Sequence, residues 1–500
     1  MAETFRWPDR GVDGSPRSST AVSRRDFFNR IADGLHGAAL ASLLGADLYQ
    51  ANSAQAARPI HGRQIYDLAP KQPHFEPKAK AVIQLFMNGG PSQIDMFDPK
   101  PALEKYAGTA PTRDLISDIL FSKEVGGLLP SPFKFSKHGQ SGMEFSELVP
   151  HIAECADDIS MIRSMYTNHT NHEPAIFTMQ GGRIQADRPA LGAWVCYGLG
   201  SENQNLPAYV VLDDPKGLPI NGIQNWQSAY LPPVYQGTRF RSEGPPVVNL
   251  DPRPEWPKPV LEAQRNLLRW MDDAHRRERP QEPNLDARIA SYELAARMQM
   301  AATDALDLSA ESDETKETYG LNNPVSHSFG KRCLMARRLV ERGVRFVQIY
   351  IEGQIWDNHF QIAKELRYCC GKTDQPSAAL VKDLKQRGLL DDTLVVWGGE
   401  FGRLPIAQTI GDLSKAGRDH SPSGFSVWMA GGGTKGGVVH GATDEIGHKA
   451  VEGRVSVHDF HATILHLLGL NNRELTFPRH GLDERLTDQF PARVVDEIIA

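Results

Sequence analysis

The sequence predicts an α/β fold, a mostly parallel central sheet flanked by helices on both faces and interrupted by an inserted lid region. Short apolar runs recur along the chain and stop at glycine or polar residues, the pattern of buried strands. Helical patterns, several ending in a glycine, stand between them. With 500 residues, 40% of them hydrophobic, the chain buries a large core, and a single large domain accommodates it.

Taken in order, the first 56 residues read as a signal rather than as structure. "SRRDFFNR" (23–30) carries Arg24 and Arg25, a weakly apolar run follows over 34–48, and Ala54-Gln55-Ala56 suits a small-residue cleavage site. The run is broken by His36 and Asp47, too short and too polar to span a bilayer. This segment resembles a twin-arginine export signal, whose Ser-Arg-Arg-x-Phe-Phe pattern is met by Ser23 to Phe28. The expected mature chain is 57–500, periplasmic or secreted, with no stable membrane span.

The strand candidates follow: "AVIQLFMNGG" (81–90), "AYVVLDD" (208–214), "VRFVQIYI" (344–351), "TLVVWGGE" (393–400) and "FSVWMAGGG" (425–433). Helices are expected over "KRCLMARRLVERG" (331–343), "PSAALVKDLKQRG" (376–388) and "VHDFHATILHLLGL" (457–470), each closing on or near a glycine. Residues 215–302 differ, opening rich in Pro, Gly and aromatics before a charged helical stretch. This is the expected insertion or lid, with Trp226, Tyr230 and Tyr235 as packing residues or as lining of an entrance.

A net charge of −6 without long runs of one sign argues against nucleic-acid binding, which needs a concentrated basic face. Five cysteines cannot all pair within one chain, and their spacing suits no zinc knuckle. No disulfide framework is expected.

Ligands of open α/β sheets bind beyond the carboxyl ends of the strands. The residues there are informative: Ser92, Asp95 and Asp98 after the first strand, Asp357 and His359 in "WDNHF", Glu400 directly after 393–397, and Asp419 and His420 in "GRDHSPSG". Singly, each is more often a turn or cap residue. Together they assemble carboxylates and imidazoles from distant sequence, which is what divalent ions require. Glu400 stands out, because a charge ending a buried strand is costly unless paired or metal-bound.

"GGPSQIDMFDPKP", "WDNHF", "GGEFGRLP", "GRDHSPSGFSVWMAGGGTKGG" and "HDFHATILHLLGL" resemble a twin-arginine-exported family of unknown function within the alkaline phosphatase and sulfatase superfamily. The resemblance covers nearly the whole mature chain and implies an alkaline phosphatase-like fold. It implies metal ligation by Asp357 and His359, by Glu400 and by His420, with Asp95 as the bridging acid. Two divalent ions are expected, their identity (zinc, calcium or magnesium) left open.

The chain also departs from the superfamily. Phe401 stands where a histidine ligand is expected, and "NHTNHEPAIFTMQGG" (168–182) has Asn171 at the nucleophile position. Thr170 is the neighbouring hydroxyl, flanked by His169 and His172 as proton-transfer groups. No Cys-x-Pro-x-Arg sulfatase signature exists. The implied activity is metal-dependent hydrolysis of phosphate or sulfate esters, of a small molecule or a polysaccharide. The alternative is a catalytically silent exported protein with a protein partner. A serine hydrolase using Ser92 ranks last, since "GGPSQ" lacks the Gly-x-Ser-x-Gly elbow.

Overall fold

Ala81–Phe86 is β1, six apolar or amide side chains buried without exception, as a strand covered on both faces must be. It is the centre of a nine-stranded sheet in a computed structural model that describes residues 66–117, 125–245, 247, 257–279, 282–409 and 413–500. The expected signal segment, 1–56, lies outside the described residues. The other strands are β2 (Ile159–Tyr166), β3 (Tyr209–Leu212), β4 (Thr238–Phe240), β5 (Phe346–Tyr350), β6 (Thr393–Gly398), β7 (Phe425–Ala430), β8 (Val438–His440) and β9 (Val455–Ser456). Their order is β8-β2-β7-β6-β1-β5-β3-β4, with β9 also paired to β2. All five expected strands are in this one sheet.

Pairing is parallel throughout except at β7, which runs antiparallel to both β2 and β6. Register explains how the chain builds one edge. Phe86 of β1 lies beside Tyr350 of β5 and Gly398 of β6, so the segments after all three strands leave side by side. Because β7 is reversed, the residues before it, not after it, reach that edge, and this delivers His420. β2 delivers the loop 167–171 in the same direction.

Helices cover both faces. Longer helices of the fold are α1 (His172–Gly181), α2 (Leu191–Leu199), α3 (Pro283–Leu306), α4 (His327–Glu341), α5 (Ile362–Gln386) and α6 (Val457–Leu467). Alternate strand residues separate the layers: Ile83, Leu85, Val347, Ile349, Val395 and Trp397 share one apolar cluster with α4 and α5. Val82, Phe86, Phe346, Tyr350, Leu394 and Val396 share the other with α1, α2 and α6. The helix expected to open at Pro376 begins earlier, at Ile362, with Pro376 inside it. Buried Leu366, Cys369 and Cys370 hold the earlier turns against the core, outweighing the helix-breaking proline.

Within 215–302, expected as an insertion or lid, β4 extends the sheet by pairing with β3. Trp226 and Tyr235 are buried and Tyr230 stacks on Phe477 at 6.0 Å, so these aromatics pack rather than line an entrance. A second compact unit contains the 21-residue helix Lys258–Glu278. All five cysteines are buried free thiols. No helix among the described residues is long and apolar enough to cross a membrane.

Candidate metal centre

Asp357 follows β5 on a loop pressed against the loop after β1. Gly89 makes this approach possible: at φ +114° it adopts a conformation few side chains tolerate, and a Cβ there would stand 2.7 Å from the Asp357 nitrogen. Gly417 admits the other side of the loop, where a Cβ would meet the His359 carbonyl carbon at 2.1 Å. Arg403 and His420 face each other in the two-stranded ribbon Gly402–Arg403/His420–Ser421. The Arg403 guanidinium, 1% exposed, donates to Asp357 Oδ1 at 2.7 Å.

Three imidazoles close around the Asp357 carboxylate. His172 Nε2 lies 3.3 Å from Oδ2, while His359 Nε2 and His420 Nε2 lie 2.8 and 3.0 Å from Oδ1. Every one of these rings is fixed through its other nitrogen. His172 Nδ1 is 2.7 Å from Glu400 Oε1, His420 Nδ1 is 2.7 Å from the Thr170 carbonyl, and His359 Nδ1 contacts Gln408 Oε1. A carboxylate and a carbonyl only accept, so His172 and His420 carry a proton on Nδ1.

Electrostatics then favour a cation. Burial lowers the His420 pKa to about 4, outweighing its hydrogen bond to Asp357, so at neutral pH its Nε2 presents a lone pair to a carboxylate oxygen. That contact is repulsive unless positive charge lies between the two. Burial also raises Asp357, but the His172 and His359 imidazoles hydrogen-bonded to it, with the Arg403 guanidinium beside it, hold its carboxyl well below the usual range. For His172, burial is outweighed by hydrogen bonds to Asp357 and Glu400, which push it up to about 9. A cation is favoured there, as a proton or as a metal.

Ligand atoms of His172, Asp357 and His420 all lie within 4.8 Å of one another, as do those of His359, Asp419 and His420. Asp419 is 2% exposed; its Oδ1 accepts from the His420 backbone N–H at 2.8 Å, and its Oδ2 has no hydrogen-bond partner among the described residues. An orphaned buried carboxylate oxygen beside two imidazoles fits a divalent ion with nitrogen and oxygen ligands. Phe401 walls the cluster, its ring centroid 4.9 Å from His172 and 4.6 Å from His420. A cavity of about 360 Å³ lined by Asp357, His359 and Phe360 opens beside it.

Residues 79–499 match one family, described as "Protein of unknown function (DUF1501)". The chain belongs to this family. Among curated proteins, no sequence matches it. In structure, this DUF1501 chain is similar to the PsFucS1 sulfatase from Pseudoalteromonas sp., at 12% identity over 80% of this chain and 69% of that one, TM-score 0.35. It is similar to a TAB5 alkaline phosphatase mutant with Mg bound, at 12% identity over 79% and 99%, TM-score 0.35. A third is the lipoteichoic acid synthase LtaP from Listeria monocytogenes, at 8% identity over 80% and 74%, TM-score 0.33.

Of the expected site residues, the DUF1501 chain brings Asp357, His359 and His420 together with His172, which was expected as a proton-transfer group rather than beside the metal ligands. Asp95 and Glu400 do not touch Asp357 directly and have other partners. Asp95 is fully buried against Arg418, which donates to both its oxygens at 2.7 and 3.0 Å, while Ser92 Oγ donates at 2.5 Å. The guanidinium supplies the charge that a bridging ion was expected to supply. Glu400, 0% exposed, lies behind His172 and also accepts the Gly89 backbone N–H at 2.9 and 3.2 Å. From there its Oε1, 2.7 Å from His172 Nδ1, fixes the orientation of that ring.

Thr170 reaches the cluster through its carbonyl. His169 turns inward on its own loop, its Nδ1 accepting the Asn171 backbone N–H at 3.1 Å. Asp419 stands beside His420 in the sequence but is not among the implied ligands, and Arg403, Arg418 and Gln408 were not foreseen as site residues. Arg403 and Arg418 are the arginines of "GRLP" and "GRDH", and the acid next to Arg418 was the one local signal.

Proposed function

We propose that this protein is an exported, metal-dependent hydrolase of phosphate or sulfate esters, made by the twin-arginine route and acting in the periplasm or beyond. The observation that carries the reading is the convergence of three Nε2 atoms on Asp357, with each ring pinned through Nδ1. Surface histidines have no reason to share that arrangement. His172, Asp357, His359 and His420 would hold the ion, with Asp419 completing its surroundings. When bound, a divalent ion there supplies the charge that polarises an ester oxygen.

The chain's own groups do the rest. Glu400 fixes the His172 tautomer, and Arg403 keeps Asp357 ionised and immobile. α1 starts beside the cluster at His172, so its first-turn N–H groups favour an anionic ester. Thr170, on the loop leading into that helix, is the nucleophile we assign. With Nδ1 accepting from Asn171, His169 carries its proton on Nε2; as the Thr170 oxygen bonds to phosphorus or sulfur its proton passes to solvent water, and the leaving ester oxygen takes a proton from water.

The test combines metal content of the mature protein with turnover of aryl phosphate, phosphodiester and sulfate esters. Stoichiometric metal with turnover lost in Thr170→Val supports the reading. Absence of metal sinks it. One observation favours the silent alternative: it is the carbonyl of Thr170, not its hydroxyl, that meets His420. Metal without turnover of any ester would establish a binding protein on this fold.

A further inference from the structure

Three cavities meet at Phe490. One, about 290 Å³, is lined by Asn472, Arg473, Arg485, Thr487 and Gln489. A second, about 190 Å³, lies between Tyr166, Asn168, Thr178 and His458. The third, about 250 Å³, is bounded by Asn168, Gly182, Ile184 and Gln185. Phe490 borders all three and is 47% exposed, its ring backed by His458 at 4.3 Å with 28° between planes. An apolar ring held flat from behind while its other face meets solvent is a stacking platform.

The charge at one end is uncompensated. Asp488 is committed to Arg183. Among the described residues, the guanidiniums of Arg473 and Arg485 have no hydrogen-bond or ion-pair partner. Two such forks in one cavity suit a sulfate, phosphate or carboxylate group, which accepts from them bidentately. Amides of Asn168, Gln185, Asn472 and Gln489 line the remainder and match hydroxyl groups.

We propose that this groove binds an anionic oligosaccharide, one sugar ring stacked on Phe490 and an acidic substituent held by Arg473 and Arg485. Its near end adjoins the metal cluster: Asn168 precedes the His169–Thr170 pair, and Thr178 lies six residues beyond His172 on α1, about 9 Å along the axis. A molecule that reaches both must be extended, so the substrate class is a multiply charged chain rather than a small monoester. This last step rests on the ester-hydrolase reading; the groove itself does not. A single platform disfavours single-stranded nucleic acid, which tracks a continuous basic groove with successive aromatics.

The test is calorimetric titration of the mature protein with a sulfated chondroitin hexasaccharide, its desulfated form and an oligothymidylate. The sulfated chain binds, and Phe490→Ala and the double variant Arg473→Ala/Arg485→Ala each weaken it by about tenfold or more. Thermal melts confirm that both variants fold, and their turnover of a small aryl ester stays at the wild-type level. Absent binding, binding untouched by either variant, or equal binding of the desulfated chain overturns the proposal. Tighter binding of oligothymidylate assigns the groove to nucleic acid and overturns it too. Asp357→Ala separates the two readings, because it retains hexasaccharide binding even if the hydrolase assignment fails.

Discussion

The Nδ1–H of His420 donates to the Thr170 carbonyl at 2.7 Å, which turns Nε2 onto Asp357 Oδ1 at 3.0 Å. The backbone of one loop thereby sets which nitrogen of a histidine on another segment faces the carboxylate. A ring left free to flip would ligate with either nitrogen. This one has a single choice, and the same holds for His172 through Glu400.

Asp357→Ala is expected to remove the metal bound by the mature protein, because all three Nε2 atoms are arranged around that carboxylate. Asp95→Asn is expected to leave it in place, since both Asp95 oxygens are taken by Arg418. Elemental analysis after gel filtration reads both outcomes. Unchanged metal in Asp357→Ala would place the ion elsewhere.

Glu400→Gln keeps a hydrogen-bond acceptor against His172 Nδ1 but loses the negative charge. A partner that orients a ligand typically changes metal affinity about 10- to 100-fold without abolishing binding. Chelator competition measures this directly. Complete loss of metal would make Glu400 a ligand after all.

The fold was legible because five apolar runs had nothing to do but be buried, and all five became strands of one sheet. β2 was overlooked: "ISMIRSMY" carries Arg163 and two serines within an otherwise apolar run, which breaks the pattern on paper but not in the sheet. In the site, Asp357, His359 and His420 were readable from their places next to strands. Asp95 and Glu400 were not readable as structural groups. Their partners, Arg418 and His172, are 323 and 228 positions away, and nothing local announces a pairing of that span. The orientation of β7 was equally silent, although it decides whether the residues before or after the strand reach the ligand-binding edge.

Arg418→Met is expected to lower stability by about 3–5 kcal/mol, the effect of stranding a buried carboxylate. The double variant Asp95→Asn/Arg418→Met recovers much of that loss, since no uncompensated charge remains. Urea midpoints of the wild type, both single variants and the double variant close the cycle. If the losses simply add, the two groups do not interact as the 2.7 and 3.0 Å contacts require.

His461 provides a pH dependence independent of the metal cluster. It is fully buried on α6 and donates from Nε2 to the Met179 carbonyl at 2.8 Å, joining that helix to α1. Burial lowers its pKa to about 4, outweighing the hydrogen bond to Met179. Between about pH 4 and its ordinary value near 6.5, the unfolded chain binds a proton that the folded chain refuses, so stability rises with pH there. The stabilising contribution is therefore complete above about 6.5 and is lost as the solution is acidified toward 4, at roughly 1.4 kcal/mol per pH unit. His461→Gln retains a donor for the Met179 carbonyl and cannot titrate. Urea midpoints measured from pH 7 to pH 4.5 should fall less steeply in this variant than in the wild type. Parallel slopes would mean that His461 takes up its proton in the folded protein as readily as in the unfolded one.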